Sequence, residues 1–282
     1  MLTVVELLSV AGERRNQNDD ACGAANGCAW VLDGATDLHS PSLTGSGSDA
    51  AWISHLANSL LHARASAGDA AHLRSLVRDL SGGVATAYSL RAGKPPQHWM
   101  MPLASLLLIA GTRSGVCGLD LGDCRFFAVG QDGAAHAVGG PAHAADDESR
   151  LAETAARRAQ GMPLLDHPET MAMLRSMRNT QNQPGAEWTF CPLPECADHA
   201  RTWEVSLTRP AHILICTDGF SALVDRYHAY DTGGLVHAAL DKGLAKLAGE
   251  LRAIEADDLA GEKHPRWKKC DDATAVLLRL ES

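Results

Sequence analysis

No stretch of this 282-residue chain is long and apolar enough to span a bilayer, and its first ten residues carry no basic side chain. Met1–Val10 is apolar but holds Glu6, so it reads as a first strand rather than a signal peptide. Net positive charge is also missing: 25 Lys and Arg stand against 34 Asp and Glu, for a formal charge of −9. With a pI near 5.8 there is no electrostatic footprint for nucleic acid or an anionic membrane. CxxC pairs do not occur. Cys117, Cys124 and Cys216 sit in or beside apolar runs, so reduced buried thiols in a reducing cytosol account for the eight cysteines better than disulfides do. Cys191 and Cys196 flank a Pro-rich turn, but no matching pair accompanies them to complete a metal site. Internal repeats and low-complexity tracts are absent as well. What remains is an ordinary globular composition, 45% hydrophobic and 21% charged, whose partners are expected to be proteins or small molecules.

The chain is organised around two apolar runs that stop at the same dipeptide. Ala29–Leu32 ends in Asp33-Gly34, and His212–Thr217 ends in Asp218-Gly219-Phe220. An apolar run bounded by a turn dipeptide reads as a buried strand that delivers its last residue to the rim of a sheet. Asp132-Gly133 reads only as a turn. Two further acidic spots fit the same design: Asp19-Asp20 after Arg15, and Asp271-Asp272 before the apolar run Ala275–Leu280. Carboxylates gathered in one cleft repel one another unless a cation neutralises them, which implies a metal. An all-oxygen donor set suits Mg²⁺ or Mn²⁺ rather than zinc.

In order, the motifs are Arg15 to Asp20, Asp33-Gly34, Gly122-Asp123-Cys124-Arg125, Thr217-Asp218-Gly219-Phe220 and Asp271-Asp272-Ala273-Thr274. Together they resemble the metal-dependent Ser/Thr protein phosphatases of the type 2C (PPM) family, in a divergent, bacterial-type form. That resemblance implies an α-β-β-α sandwich of two mainly antiparallel sheets flanked by helices, with a metal cluster at one end. It implies hydrolysis of phosphoserine and phosphothreonine on a signalling phosphoprotein by a water bridging two Mn²⁺ or Mg²⁺ ions, possibly joined by a third. Asp33 would bridge the two ions, with the Gly34 carbonyl serving the second. Asp218 and Asp271 would hold the first, Asp19 or Asp20 the second, and Asp123 a weaker third. Arg15 would bind the phosphate, with Arg14 its competitor.

Elsewhere the patterning predicts a β-hairpin over 20–32, because Asn26-Gly27 favours a two-residue type I′ turn. Helices are expected over Ser48–Ala65, Asp69–Arg91, Ala144–Gln160 and Leu235–Arg252, with Gly82-Gly83 marking a kink in the second. Strands are expected over Thr3–Val10, Trp203–Leu207, Ala211–Thr217 and Ala273–Leu280. Leu103–Ala110, Val116–Leu121 and Arg125–Val129 read as a three-stranded meander, in which Gly122–Arg125 taken alone is a hairpin turn with a surface salt bridge. Residues 161–200 correspond to the family's variable flap, within a single domain spanning 1–282. There Met171, Met173, Leu174 and Met177 suggest a short helix packed on the core rather than an exposed docking surface, while Arg175 and Arg178 either meet a phosphate or face solvent, solvent being the expectation.

Three departures from the family pattern stand out. Ala35 occupies a place where some members have a histidine that acts as leaving-group acid, leaving that proton to metal-bound water or to His39. Pro102-Leu103-Ala104-Ser105 replaces the usual Gly-Thr-Thr, and Cys124 replaces a common serine. Two alternatives compete with the phosphatase reading. A haloacid-dehalogenase-like hydrolase would use Asp33 as nucleophile but wants Asp-x-Asp, and position 35 is alanine. A non-catalytic signalling scaffold of the same fold typically loses its metal carboxylates, yet Asp33, Asp218 and Asp271 are all present.

Overall fold

The computed structural model describes residues 1–12, 17–66, 68, 70–93, 97–140, 144–159 and 162–281; Arg14 and Arg15 lie outside the described residues. The chain opens with β1 (Leu2–Val10), β2 (Asp20–Ala25) and β3 (Cys28–Gly34), followed by α1 (Asp49–Arg64) and α2 (Ala70–Arg91). Strands β4 (Ala104–Gly111), β5 (Gly115–Leu121), β6 (Arg125–Val129) and β7 (Ala135–Val138) come next, then α3 (Ala144–Ala159) and α4 (Pro168–Arg178). The last third holds β8 (Arg201–Ser206), β9 (Ala211–Cys216), α5 (Asp218–Asp225), α6 (Thr232–Lys242), α7 (Leu244–Asp257) and β10 (Ala273–Leu280).

The strands form two five-stranded sheets, β1-β10-β9-β6-β7 and β2-β3-β4-β5-β8, with antiparallel pairing throughout. Alternation along each central strand sends its side chains into two different cores. In β3, Trp30 and Leu32 pack with Ile53, Leu61, Leu73 and Leu80 of α1 and α2, whereas Ala29 and Val31 face the second sheet. In β9, Ile213 and Ile215 meet them in the inter-sheet layer, while Leu214 and Cys216 pack beneath α5, α6 and α7. Burial on both faces is why these strands read as continuous apolar runs. The result is the expected α-β-β-α sandwich.

Local signals place most elements. Asn26 and Gly27 both have positive φ, 51° and 81°, as a type I′ hairpin requires. Ser48 caps α1, its hydroxyl accepting a hydrogen bond from the Ala51 N–H at 3.0 Å.

Four expectations need correction. The three-stranded meander does not form: β5 pairs with β4 and β8, whereas β6 crosses to the other sheet and pairs with β7 and β9. Gly122–Cys124 therefore bridges the sheets instead of closing a hairpin. The helix expected over 235–252 is two helices, broken at Gly243, whose φ of 82° a helix cannot continue through. Asp218-Gly219 opens α5, an element that the turn reading of the dipeptide did not anticipate. Arg175 and Arg178 turn inward: Arg175 Nε donates to the Leu38 carbonyl at 2.9 Å, and Arg178 Nη1 donates to the Thr36 carbonyl at 2.6 Å. The 168–178 helix does form where the Met cluster suggested, as α4.

Candidate metal centre

Register brings the acidic motifs to one end of the sandwich. Asp20 and Asp33 face each other across β2 and β3, and Asp33 pairs with Ser105 on β4. Asp33 continues the inward row of Ala29 and Val31, so it projects into the gap between the sheets. Asp218 starts α5 directly after β9, and Asp271 lies just before β10, the strand paired with β9. Asp33, Gly34, Asp123, Asp218 and Asp271 all line one cavity of about 840 Å³. Asp19 and Asp20 are not among the residues that line it.

The two Asp-Gly glycines have a shared steric reason. A Cβ on Gly34 would lie 2.6 Å from the backbone carbonyl oxygens of both Asp19 and Ala50, and one on Gly219 would lie 2.0 Å from that of Asp272. Each glycine therefore permits a second acidic segment to approach the first. Gly219→Ala is expected to push the 271–272 segment away, weakening Mn²⁺ binding at least tenfold and lowering the melting temperature, as calorimetry and thermal melts would record; unchanged values would contradict this packing.

Hydrogen bonds fix the carboxylates. Ser48 Oγ donates to Asp19 Oδ1 at 2.6 Å, Thr217 Oγ1 to Asp20 Oδ2 at 2.8 Å, and Ser105 Oγ to Asp123 Oδ1 at 2.6 Å. Ser105, part of the departure from Gly-Thr-Thr, thus supports the Gly-Asp motif. Asp272 acts differently from its neighbour. Its two oxygens accept the Gly12 and Asp19 N–H groups at 2.7 and 2.6 Å, tying three chain segments together.

Desolvation is the main force on the cluster's protonation. It raises Asp19 to about 6, against the lowering effect of Ser48, and raises Asp218 to about 6 with help from Asp123 and Asp271. Asp33 goes well above the carboxylate range through burial and then the charges of Asp218, Asp20 and Asp123; Asp20 and Asp123 also rise, burial again leading. After burial, the charge of Asp218 is the largest influence on Asp33, so the two carboxylates oppose each other across the cavity end. A hard divalent cation bound there would relieve that repulsion, so the oxygen-only donor set fits Mg²⁺ or Mn²⁺. Asp271 is the exception: burial pushes it up, but Lys268 Nζ, donating at 2.7 Å, holds it below the usual range.

Several cavity residues carry no sequence signal. Lys268 lies in an irregular loop, and the Arg226–Glu148 ion pair joins the end of α5 to α3, segments 78 positions apart. Desolvation raises Glu148 to about 7 despite Arg226. Arg125 of the Gly-Asp motif pairs half-buried with Asp225 at 3.1 Å, where a surface bridge was the simple expectation. Leu165, Leu174, Met177 and Arg178 also belong to the cavity wall.

His39 is not among the lining residues; its ring nitrogens meet the Pro41 and Met100 carbonyls, each at 3.2 Å. Asp37, His39 and Asp49 form a separate cluster with ligand atoms within 4.8 Å of one another. There Asp49 Oδ1 accepts from the N–H and hydroxyl of Thr44 and Oδ2 from the Leu43 N–H, so the aspartate staples its own loop. All eight cysteines are free thiols. Among the described residues no helix is long and apolar enough to cross a membrane.

A family model described as protein phosphatase 2C matches residues 13–252. The fold is similar to that of the Mycobacterium tuberculosis serine/threonine phosphatase PstP/Ppp, with a TM-score of 0.59 and 17% identity, covering 100% of this chain and 99% of that one. It is similar also to the PPM Ser-Thr phosphatase MsPP from Mycobacterium smegmatis, solved with cacodylate, at a TM-score of 0.54 and 19% identity over 99% of both chains. A PstP catalytic domain solved with two manganese ions gives 0.58 and 15% identity over 100% of both chains. No curated protein matches the chain.

Proposed function

Because the chain belongs to the protein phosphatase 2C family, we propose that it is a Mn²⁺- or Mg²⁺-dependent phosphatase acting on phosphoserine and phosphothreonine in proteins. The observation that carries this reading is the convergence of Asp33, Gly34, Asp123, Asp218 and Asp271 on one cavity. Asp33 is assigned to bridge two ions, Asp218 and Asp271 to the first, the Gly34 carbonyl and Asp19 or Asp20 to the second, and Asp123 to a weaker third. Bound there, such ions supply an activated water and neutralise the phosphoryl oxygens. The PstP domain solved with two manganese ions supports a binuclear site.

The chain's own groups do the rest. Lys268 holds Asp271 charged, Ser105 and Ser48 orient Asp123 and Asp19, and Thr217 orients Asp20. Arg15 is assigned to the substrate phosphate, since a guanidinium fork binds two of its oxygens at once. Leu165, Leu174 and Met177 give the cavity an apolar stretch of wall. The eight free thiols support work in a reducing, cytoplasmic setting.

Hydrolysis of p-nitrophenyl phosphate tests the ion requirement. EDTA should abolish it and Mn²⁺ or Mg²⁺ restore it, with Zn²⁺ a poor substitute for want of His and Cys donors. Full activity in EDTA after exhaustive dialysis would overturn the assignment.

A further inference from the structure

Four lysine and arginine side chains line the cavity: Lys268, Arg226, Arg125 and Arg178. Three of them are already neutralised. Lys268 donates to Asp271, Arg226 pairs with Glu148, and Arg125 pairs with Asp225. Arg178 is different: among the described residues no carboxylate forms an ion pair with it. Its guanidinium donates through Nη1 to the Thr36 carbonyl, which leaves other N–H groups of the fork without an acceptor among the described residues.

A guanidinium withdrawn from water costs free energy unless an anion or acceptors compensate it. Burial does lower the affinity of Arg178 for its proton, to about 10, with Asp37 opposing the loss, so the group stays charged at neutral pH. Its position bears on the reaction. Thr36 is three residues beyond Asp33, so even a fully extended chain keeps their Cα atoms within roughly 10 Å.

We propose that Arg178, at the end of the flap helix α4, is a second phosphate-binding residue of this cavity, its free N–H groups contacting the phosphoryl oxygens of the substrate. The proposal rests on the phosphatase reading for its substrate, but phosphate binding can be measured without turnover. Arg175 supplies the control. One helical turn earlier, it anchors α4 to the same loop through the Leu38 carbonyl, and it lies over the Trp99 ring at 4.7 Å. It does not line the cavity. The two arginines thus share the anchoring role, and only Arg178 is placed to meet a ligand.

The experiment is titration calorimetry of the full-length chain with inorganic phosphate in the presence of Mn²⁺, for wild type, Arg178→Met, Arg178→Lys and Arg175→Met. A charge-assisted hydrogen bond corresponds to about a tenfold change in affinity or more. Arg178→Met should weaken phosphate binding by about that factor, Arg178→Lys less, and Arg175→Met within about twofold. Added guanidinium should partly restore binding to Arg178→Met. Equal losses in Arg175→Met and Arg178→Met would assign Arg178 to anchoring alone and overturn the proposal, as would wild-type affinity in a folded Arg178→Met. If the wild type binds phosphate through Arg178 but hydrolyses no phosphoester, this inference stands and the phosphatase reading falls. If it hydrolyses normally and Arg178→Met keeps both its KM and its phosphate affinity, the reverse holds.

Discussion

Asp33→Asn is expected to lower kcat by roughly a thousandfold or more, equivalent to about 4 kcal/mol of barrier. The size follows from its place. Asp33 ends the inward row of β3 and feels the charges of Asp218, Asp20 and Asp123, the carboxylates assigned to both halves of the proposed binuclear site. Asparagine keeps the shape and removes the charge from both ions at once. In EDTA the same variant should melt no lower than wild type, because the lost carboxyl is one that burial and its neighbours disfavour in the charged form. Thermal melting distinguishes the cases: a large fall in melting temperature would mean that Asp33 is structural, and near-normal kcat in a folded variant would remove it from the site.

The acidic residues were legible in the sequence because each stands at a strand end. Strand ends are marked by apolar runs that stop, and Ala29–Gly34 and Ala211–Asp218 stop at Asp-Gly. The α1 cap at Ser48 and the Asn26-Gly27 turn were legible for the same local reason. What was not legible depended on partners distant in the chain. Nothing in Val116–Val129 says that Gly122–Cys124 crosses between sheets, since β5 and β6 are equally apolar and only their pairing partners differ. Glu148 and Arg226, or Lys268 in its irregular loop, acquire meaning only when the sandwich brings them to the cavity. Solvent is the sequence expectation for Arg175 and Arg178, because the backbone carbonyls that receive them belong to the distant loop after β3. Gly243 splits 235–252 although the apolar stripe runs on through it, because periodicity is blind to a single positive φ.

Stability should depend on pH and metal together. In EDTA, Asp218 and Asp19 titrate near 6 in the folded chain against 3.8 when unfolded, so between those values the native state binds more protons. Stability must then fall as pH rises through that window. Asp271 is shifted the other way, and its contribution is complete above its unfolded value, so it adds no slope there. A shift of about two units in one carboxyl corresponds to about 3 kcal/mol. In EDTA the melting temperature should therefore drop by roughly 5–10 °C from pH 4.5 to 7.5. Mn²⁺ at 100 times its Kd should return about 2.7 kcal/mol at neutral pH, and less in acid, where protons compete for the same oxygens. Asp218→Ala should lose most of the metal-induced rise while its metal-free form melts no lower than wild type. A Mn²⁺ shift unchanged in Asp218→Ala would place the ion elsewhere.

The most direct test is release of inorganic phosphate from a phosphoserine peptide by the Mn²⁺-loaded full-length chain, beside Asp33→Asn under the same conditions. Steady release by the wild type, absent in the folded variant, is the predicted result. A wild type that binds Mn²⁺ at this site yet releases no phosphate from phosphoserine or phosphothreonine peptides would contradict it, and would leave a metal-binding scaffold in place of an enzyme.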